Sequence, residues 1–552
     1  MSHHRSIVCS FIFTLSLFIF PKLALAELAH PLMSEVQAEL DLLKANPTAY
    51  MWSPPKKFIN GRSANGLNLA AETSILSKNF SPTLNQKIEK RRGAFLKSAS
   101  LPFANDLAEN LIDNPGAMLT SLTEMDPFRM LAMPVSSWSD SYWPIYWGLT
   151  AARYEDIEKK VLANPAFTPN LLDWLSYFNY SSLGTANGPD AIIKSGNPIL
   201  IDDLSPAEKY DLLLGDTHWT LSQQQWNTGY WFYYPNKNVP EWMGICHGWS
   251  AASINVPRPN QMIVNLPTPS GINVSFYPAD VKALASLLWS TDQNNTRFIG
   301  GRCNLKEVEL KKTGNIDPIT GRILDSRCND TNPATWHLAV VNQLLEAQKR
   351  GDSAQRSLVF DANYDVEIWN QPIYSYSYSY FNPADLQAAS TVSEAKVPMS
   401  KFRSTDKFAR FRKNRNAVSV VGIAMDLVYI SETQPGHYVR DDDSRDKRVT
   451  VRYLYDLELD AHDKIIGGEW YVNLHPDFLW TPGKGVKGQS RFDDYLARRL
   501  LRNGESEWDG HSVVPKTYTE NASKVSASGV PMGAIVNKLV ERAHDSTSSI
   551  IR

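Results

Sequence analysis

"EWMGICHGWSAASI", residues 241–254, sets Cys246 between an isoleucine and a histidine at the head of a segment with helical character. Pro257 stops that helix. Gly244 and Gly248 flank the cysteine, and a glycine lets the backbone come close to another group, a substrate included. A cysteine at a helix N-terminus faces the positive end of the helix dipole, which favours thiolate, the nucleophilic form. A buried thiol is also a common small hydrophobe. From this stretch alone both readings stay open.

The pattern on either side is that of an α+β protein. "SPAEKYDLLLG" (205–215) is a capped helix, and "TGYWFYYPN" (228–236) has strand character. "QMIVNLPTPSGINVSFYP" (261–278) predicts a hairpin turning at Pro-Ser-Gly, and "PADVKALASLLWS" (278–290) a helix. "WHLAVVNQLL" (336–345) and "RSLVFDANYDVEIW" (356–369) carry apolar runs of strand length. "YSYSYSYF" (374–381) alternates at period two, which makes a strand with a serine face and a tyrosine face. From 401 to 480 strands dominate: "AVSVVGIAMDLVYIS", "KRVTVRYLYDLELD" and "IGGEWYVNL". The acidic "DDDSRD" (441–446) between two of them suits a solvated hairpin loop better than a calcium site. "PGKGVKGQS" (482–490) lacks the Gly-Lys-Ser/Thr ending of a phosphate loop.

Residues 27–200 are expected to form a mainly helical N-terminal region. "LMSEVQAELDLLKANP" (32–47) has capping-box spacing at Ser34 and Gln37 and ends at Pro47. "TLNQKIEKRRGAFLKSAS" (83–100) and "YEDIEKKVLANPAF" (154–167) also have helical patterns. This region is either a structural domain, the favoured reading, or a removable pro-segment. A catalytic core over 201–400, a β-rich region over 401–500 and a C-terminal tail over 501–552 with a short helix complete the expected organisation.

The chain opens "MSHHRSIVCSFIFTLSLFIFPKLALAELAH". A positive start, an apolar run from Ile7 to Phe20 and Ala24-Leu25-Ala26 have the form of a signal peptide, residues 1–26. The run is short for a membrane span, and Pro21 and Lys22 close it. The expected location is secreted or periplasmic, with no membrane span after cleavage. Of the 4 cysteines, Cys9 would leave with the signal. An odd number then remains in an oxidising compartment. Cys303 and Cys328 flank a polar segment with turn signals, and their pairing is the preferred connectivity. It leaves Cys246 over. The net charge of −2 is spread along the chain with no basic patch, which argues against nucleic acid as a partner.

A thiol nucleophile needs a base and an orienter. His247 is adjacent, but successive side chains on a helix diverge. His337 in "NPATWHLAVVNQ" stands at the start of an expected strand, and Asp361 ends the apolar run Leu358-Val359-Phe360. Two neighbouring strands would set His337 and Asp361 side by side. Asp365 and Asn363 are alternative orienters. A lone histidine is more often a structural group, so it is the Cys246, His337, Asp361 order that carries the case.

"MGICHGWSAAS", "TNPATWH", "FDANYDVEIWNQP" and "GGEWYVNLHPDFLW" together resemble the transglutaminase elicitor family, oomycete cell-wall enzymes with bacterial relatives. The resemblance covers roughly residues 130–500. Trp369-Asn370-Gln371-Pro372 is similar to the core of a surface-exposed peptide that plants detect, but "IYSYSYSY" follows where a basic, Gly-containing sequence is expected. The family resemblance implies a papain-like core and a protein-glutamine γ-glutamyltransferase. The nucleophile then falls on Cys246, the histidine on His337 and the acid on Asp361. Protein substrates are implied, a glutamine donor and a lysine or polyamine acceptor. No cofactor is required for the chemistry, although calcium is possible. Trp242, Trp249 and Trp336 are candidates for a substrate-binding, water-excluding wall, with core packing as the competing role. The same triad also suits a cysteine peptidase or a glutamine deamidase. A non-catalytic envelope or surface protein that retains the fold is the reading of a different class.

Overall fold

A computed structural model of the chain describes residues 30–59, 62–63, 106–154, 188–236, 239–291, 296–303, 307–311, 314–325, 328, 331–350, 357–363, 367–412 and 414–544. The proposed signal peptide, the segment 83–100, Asp365 and all but Tyr154 of the segment 154–167 lie outside them.

The Ser/Tyr alternation forms one of three long central strands of equal length, β4 (Asn370–Asn382). Tyr376, Tyr378 and Tyr380 are buried on one face and Ser375, Ser377 and Ser379 on the other. Both faces are therefore covered. β4 belongs to a twelve-stranded sheet. From a two-residue edge strand at Arg62–Ser63 its main path runs β1 (Lys56–Ile59), β6 (Lys447–Leu459), β5 (Ser419–Ser431), β4, β3 (Val359–Asp361), β8 (Phe478–Pro482), β2 (Thr296–Gly300). Every pairing on this path is antiparallel. A further strand, β7 (Ile465–Trp470), pairs with β6. β-branched and aromatic residues dominate β5 and β6, which suits a pleated surface buried on both sides.

Two helices cover the sheet's centre. On the serine face lies α1 (Met33–Ala45), whose Val36, Leu40 and Leu43 pack with Phe381, Ala424 and Leu454. A buried charge cluster crosses this layer: Arg452 of β6 pairs with Asp426 of β5 and with Glu35 and Glu39 of α1. On the tyrosine face lies α6 (Pro333–Arg350), with Trp336 edge-on to Tyr453 and Trp470.

A helical layer flanks the sheet. It contains α2 (Pro206–Leu214), α3 (Thr220–Asn236), α4 (Cys246–Asn255), α5 (Pro278–Trp289) and α7 (Gly533–Ala543). The expected cap of α2 is present, with Ser205 and Glu208 bonding reciprocally to each other's backbone. α4 and α5 approach closely at Gly248, where an added Cβ would lie 2.3 Å from the Ser286 carbonyl. The predicted hairpin forms from Ile263–Pro267 and Asn273–Phe276.

Several local expectations are corrected. "TGYWFYYPN" lies in helix α3, and "WHLAVVNQLL" in helix α6. α1 begins one residue before Ser34, with no side-chain cap, and Pro47 starts a short second helix rather than ending the helical run. The acidic loop is tied down by cations: Arg258 pairs with Asp441 and Asp446, and Lys282 with Asp441. The central sheet draws strands from both sides of residues 200 and 400, and α7 buries Ile535, Val536 and Leu539 in the main core. Among the described residues, no helix is long and apolar enough to cross a membrane.

Candidate active site

The segment before α4 is held by backbone bonds and by the Tyr142 hydroxyl, which donates to the Glu241 carbonyl at 2.9 Å. Ile245 N–H donates to the Tyr142 carbonyl at 2.8 Å, and Ile145 N–H donates to the Met243 carbonyl at 2.8 Å. Gly244 makes this possible, because a Cβ there would lie 2.2 Å from the Tyr142 oxygen. The glycines around the cysteine thus serve close packing of the chain on itself. Cys246 is the first residue of α4, with Ile245 at the N-cap. It is 3% exposed.

The strands supply what surrounds the thiol. Its Sγ donates to the Ile368 carbonyl at 3.7 Å and accepts from Asn370 Nδ2 at 3.4 Å. Asn370 Oδ1 in turn accepts from Trp480 Nε1 at 2.7 Å. Asp361 of β3 stands directly across from Asn370 of β4. Directly opposed residues of an antiparallel pair present their side chains on the same face, so Asp361 shares the face that meets Cys246. Its Oδ1 accepts from the Asn363 and Trp369 backbone N–H groups at 3.1 and 2.9 Å. Trp369 packs at a tilt against Tyr142, ring centroids 5.2 Å apart, and its Nε1 donates to Glu367 Oε2 at 2.9 Å. Both rings are half-buried and form the site's rim.

His337 is elsewhere. "NPATWH" opens helix α6 rather than a strand, with the Asn332 side chain accepting from Ala334 N–H at 2.9 Å and Pro333 in the first turn. Asparagine followed by proline is a helix-start signal, and it outranks the apolar run behind it. His337 Nδ1 bonds the Tyr455 hydroxyl at 2.8 Å, and its ring meets Tyr378 edge-on at 4.9 Å. Tyr378 lies eight residues along β4 from Asn370, beyond an irregularity in the pairing with β5 between Ile373 and Ser375. Complete burial lowers the His337 pKa to about 3. The side-by-side His337–Asp361 arrangement expected from sequence does not form: a helix carries the one and a strand the other.

The aromatic candidates divide. Trp249 and Trp336 are fully buried, Trp249 donating to the Trp138 carbonyl at 3.0 Å. They pack in the core. Trp242 is buried four residues before the thiol. Cys303 and Cys328 form a disulfide, and Cys246 is outside it. In Trp369-Asn370-Gln371-Pro372 only Trp369 is partly exposed: Asn370, Gln371 and Pro372 are buried, and Asn370 touches the thiol. Asn370 and Trp480 were not singled out as site residues from sequence. Both lie in the motifs that carry the resemblance, but the bond between their side chains depends on strand order, which no motif states. Among the described residues no group of three or more His, Cys, Asp or Glu is placed to hold a metal ion.

The molecule is thus an α+β protein with a buried thiol at a helix start, set against two paired strands. Residues 227–490, the segment that carries the site, match the family described as transglutaminase elicitor. Over that segment the chain is similar to the transglutaminase elicitor family, and it is a transglutaminase-like protein. The crystal structure of the GP42 transglutaminase from Phytophthora sojae is similar to 66% of this chain and 86% of its own, at 21% identity and a TM-score of 0.41. No curated protein matches the chain.

Proposed function

We propose that this is an exported protein-glutamine γ-glutamyltransferase that joins glutamine to lysine side chains through a cysteine thioester. The observation that carries the reading is the Cys246 thiol at the start of α4, bonded to Asn370, with Asp361 directly across from Asn370. Similarity to the family over residues 227–490 supports the acyl-transfer class.

In the proposed mechanism the Cys246 sulfur attacks the carboxamide carbon of a substrate glutamine. The S–C bond forms, and Asp361 takes the thiol proton. That proton passes to the departing nitrogen as the C–N bond breaks, and ammonia leaves. A lysine or polyamine amine then attacks the thioester, a C–N bond forms, and the S–C bond breaks. Asp361 carries the amine's proton back to the sulfur. His337 has a structural part in this scheme, as a neutral imidazole on Tyr455. The half-buried Trp369–Tyr142 rim keeps water from the thioester and favours amine over hydrolysis.

The chemistry itself needs no cofactor. In the loop 441–446, Asp441 and Asp446 are already paired with Arg258 and are not ready calcium ligands. Export is proposed on the N-terminal apolar run and on the Cys303–Cys328 bridge.

Casein and a fluorescent primary amine test the assignment. Incorporation is expected, and assays with calcium and with chelator decide the metal's part. Ammonia release without incorporation would make the protein a deamidase, cut fragments a peptidase, and none of these a non-catalytic protein that keeps the fold.

A further inference from the structure

A thioester-forming enzyme must bind the oxyanion that develops when sulfur adds to a carbonyl, and backbone N–H groups are the usual donors. Here a side chain is already in position. Asn370 is buried, and its amide is fixed at both ends. Trp480 Nε1 has no acceptor capacity, so the atom it binds at 2.7 Å must be the carbonyl oxygen Oδ1. The amino group Nδ2 therefore faces Cys246 Sγ, at 3.4 Å. Trp480 is held in turn by the sheet, since β8 pairs with β3 opposite Val359, and β3 pairs with β4.

We infer that Asn370 is a catalytic oxyanion donor for acyl transfer at Cys246, and that Trp480 is the residue that positions it. The oxyanion sits two bonds from the sulfur. A donor at this distance from Sγ comes within the roughly 2.7–3.1 Å such a contact needs, without any backbone movement. Sulfur adds to the carbonyl carbon, the carbonyl π pair moves onto oxygen, and Nδ2–H donates to that oxygen. When the leaving group departs the charge collapses back, and the bond to Nδ2 returns to its resting strength. The competing role is on the thiol itself, where Nδ2 would stabilise the thiolate before any carbonyl arrives.

The two roles separate experimentally. The inference rests on the proposed acyl chemistry, so the test uses a reaction that needs no glutamine substrate: p-nitrophenyl acetate acylating Cys246, followed by the p-nitrophenolate burst. Iodoacetamide alkylation of the same thiol passes through no oxyanion and reports thiolate reactivity alone. For Asn370→Ala and the isosteric Asn370→Asp, kcat for the ester is expected to fall about 100-fold or more, with alkylation by iodoacetamide changed less than about threefold for Asn370→Ala. Trp480→Phe keeps the ring and removes the donor, and an intermediate loss in kcat with little change in KM is expected. Equal losses in both reactions for Asn370→Ala, or wild-type ester kinetics in it, would overturn the assignment. Near-ultraviolet circular dichroism establishes that each variant is folded. Should the wild-type chain acylate with the ester but incorporate no amine into casein, the transglutaminase reading fails while the Asn370 result still stands or falls on its own.

Discussion

Gly244 has backbone on the side where a Cβ would point, with the Tyr142 and Trp143 carbonyl oxygens 2.2 and 2.9 Å from that position. Neither oxygen can move without shifting the segment that fixes Ile245 and hence the start of α4. Gly244→Ala is expected to cost about 1–3 kcal/mol, the usual range for overpacking, and to slow alkylation of Cys246. Urea denaturation and iodoacetamide kinetics check both parts, and an unchanged variant would contradict the close-packing account. His337 offers a second test. Its folded pKa of about 3 lies below the ordinary 6.5. Between those values the unfolded chain binds the proton and the fold does not, so stability falls as pH drops from about 6.5 toward 3 and is level above. His475, lowered to about 4 by burial, has the same sign. His337→Gln is expected to lose less stability than wild type between pH 7 and 5, measured by denaturation at each pH. Parallel curves would place the pH dependence elsewhere. Cys246 was legible in the sequence because a thiol between glycines at a helix start is a local pattern. Asn370 and Trp480 were not, because their bond spans β4 and β8, residues far apart in the chain.

At the scale of elements, α1 and β1 are part of the sheet's structure. β1 pairs with β6 from Lys56↔Arg452 to Ile59↔Val449, and α1 buries Val36 and Leu40 completely. Each such side chain contributes roughly 1.5–3 kcal/mol on burial. Deleting residues through Ile59 would also uncover the edge of β6 and take Glu35 and Glu39 from the buried Arg452, leaving it Asp426. The truncated chain is expected to be less stable by several kcal/mol and prone to association through that edge. Thermal denaturation and light scattering measure it, and a truncated chain with wild-type stability would restore the pro-segment reading. The strands of 370–382, 419–431 and 447–459 were legible, since alternation and β-branched runs are strong local signals. α3 and α6 were not. Their aromatic and β-branched residues favour strands locally, but Trp336, Val340, Gln343, Leu344 and Ala347 return to one buried face at helical spacing. In α6 that longer period, with Asn332-Pro333 before it, was the signal to weigh.

Across the whole molecule, the Cys303–Cys328 bridge closes a loop of sequence separation 25 beside β2, which pairs with β8, the strand of Trp480. Reducing it is expected to cost about 3 kcal/mol by loop entropy, seen as a lower denaturation midpoint in dithiothreitol. Reduction without a shift would mean that the bridge does not constrain the unfolded chain. The α+β class was readable from sequence because it follows from the mixture of elements. The sheet order was not, since β1, β2 and the strands beyond 359 come together only through long-range pairing. That order also places Asp361 across from Asn370, while His337 sits on α6 beside Tyr378 and Tyr455. The central claim is therefore that Cys246 works with Asp361 and not with His337. The direct measurement is the rate of monodansylcadaverine incorporation into casein by Asp361→Asn and by His337→Gln, each against wild type, with Cys246→Ala as the blank. The account predicts a loss of about 100-fold or more for Asp361→Asn and a rate within a few fold of wild type for folded His337→Gln. Near-wild-type incorporation by Asp361→Asn, with activity abolished in a folded His337→Gln, would contradict it.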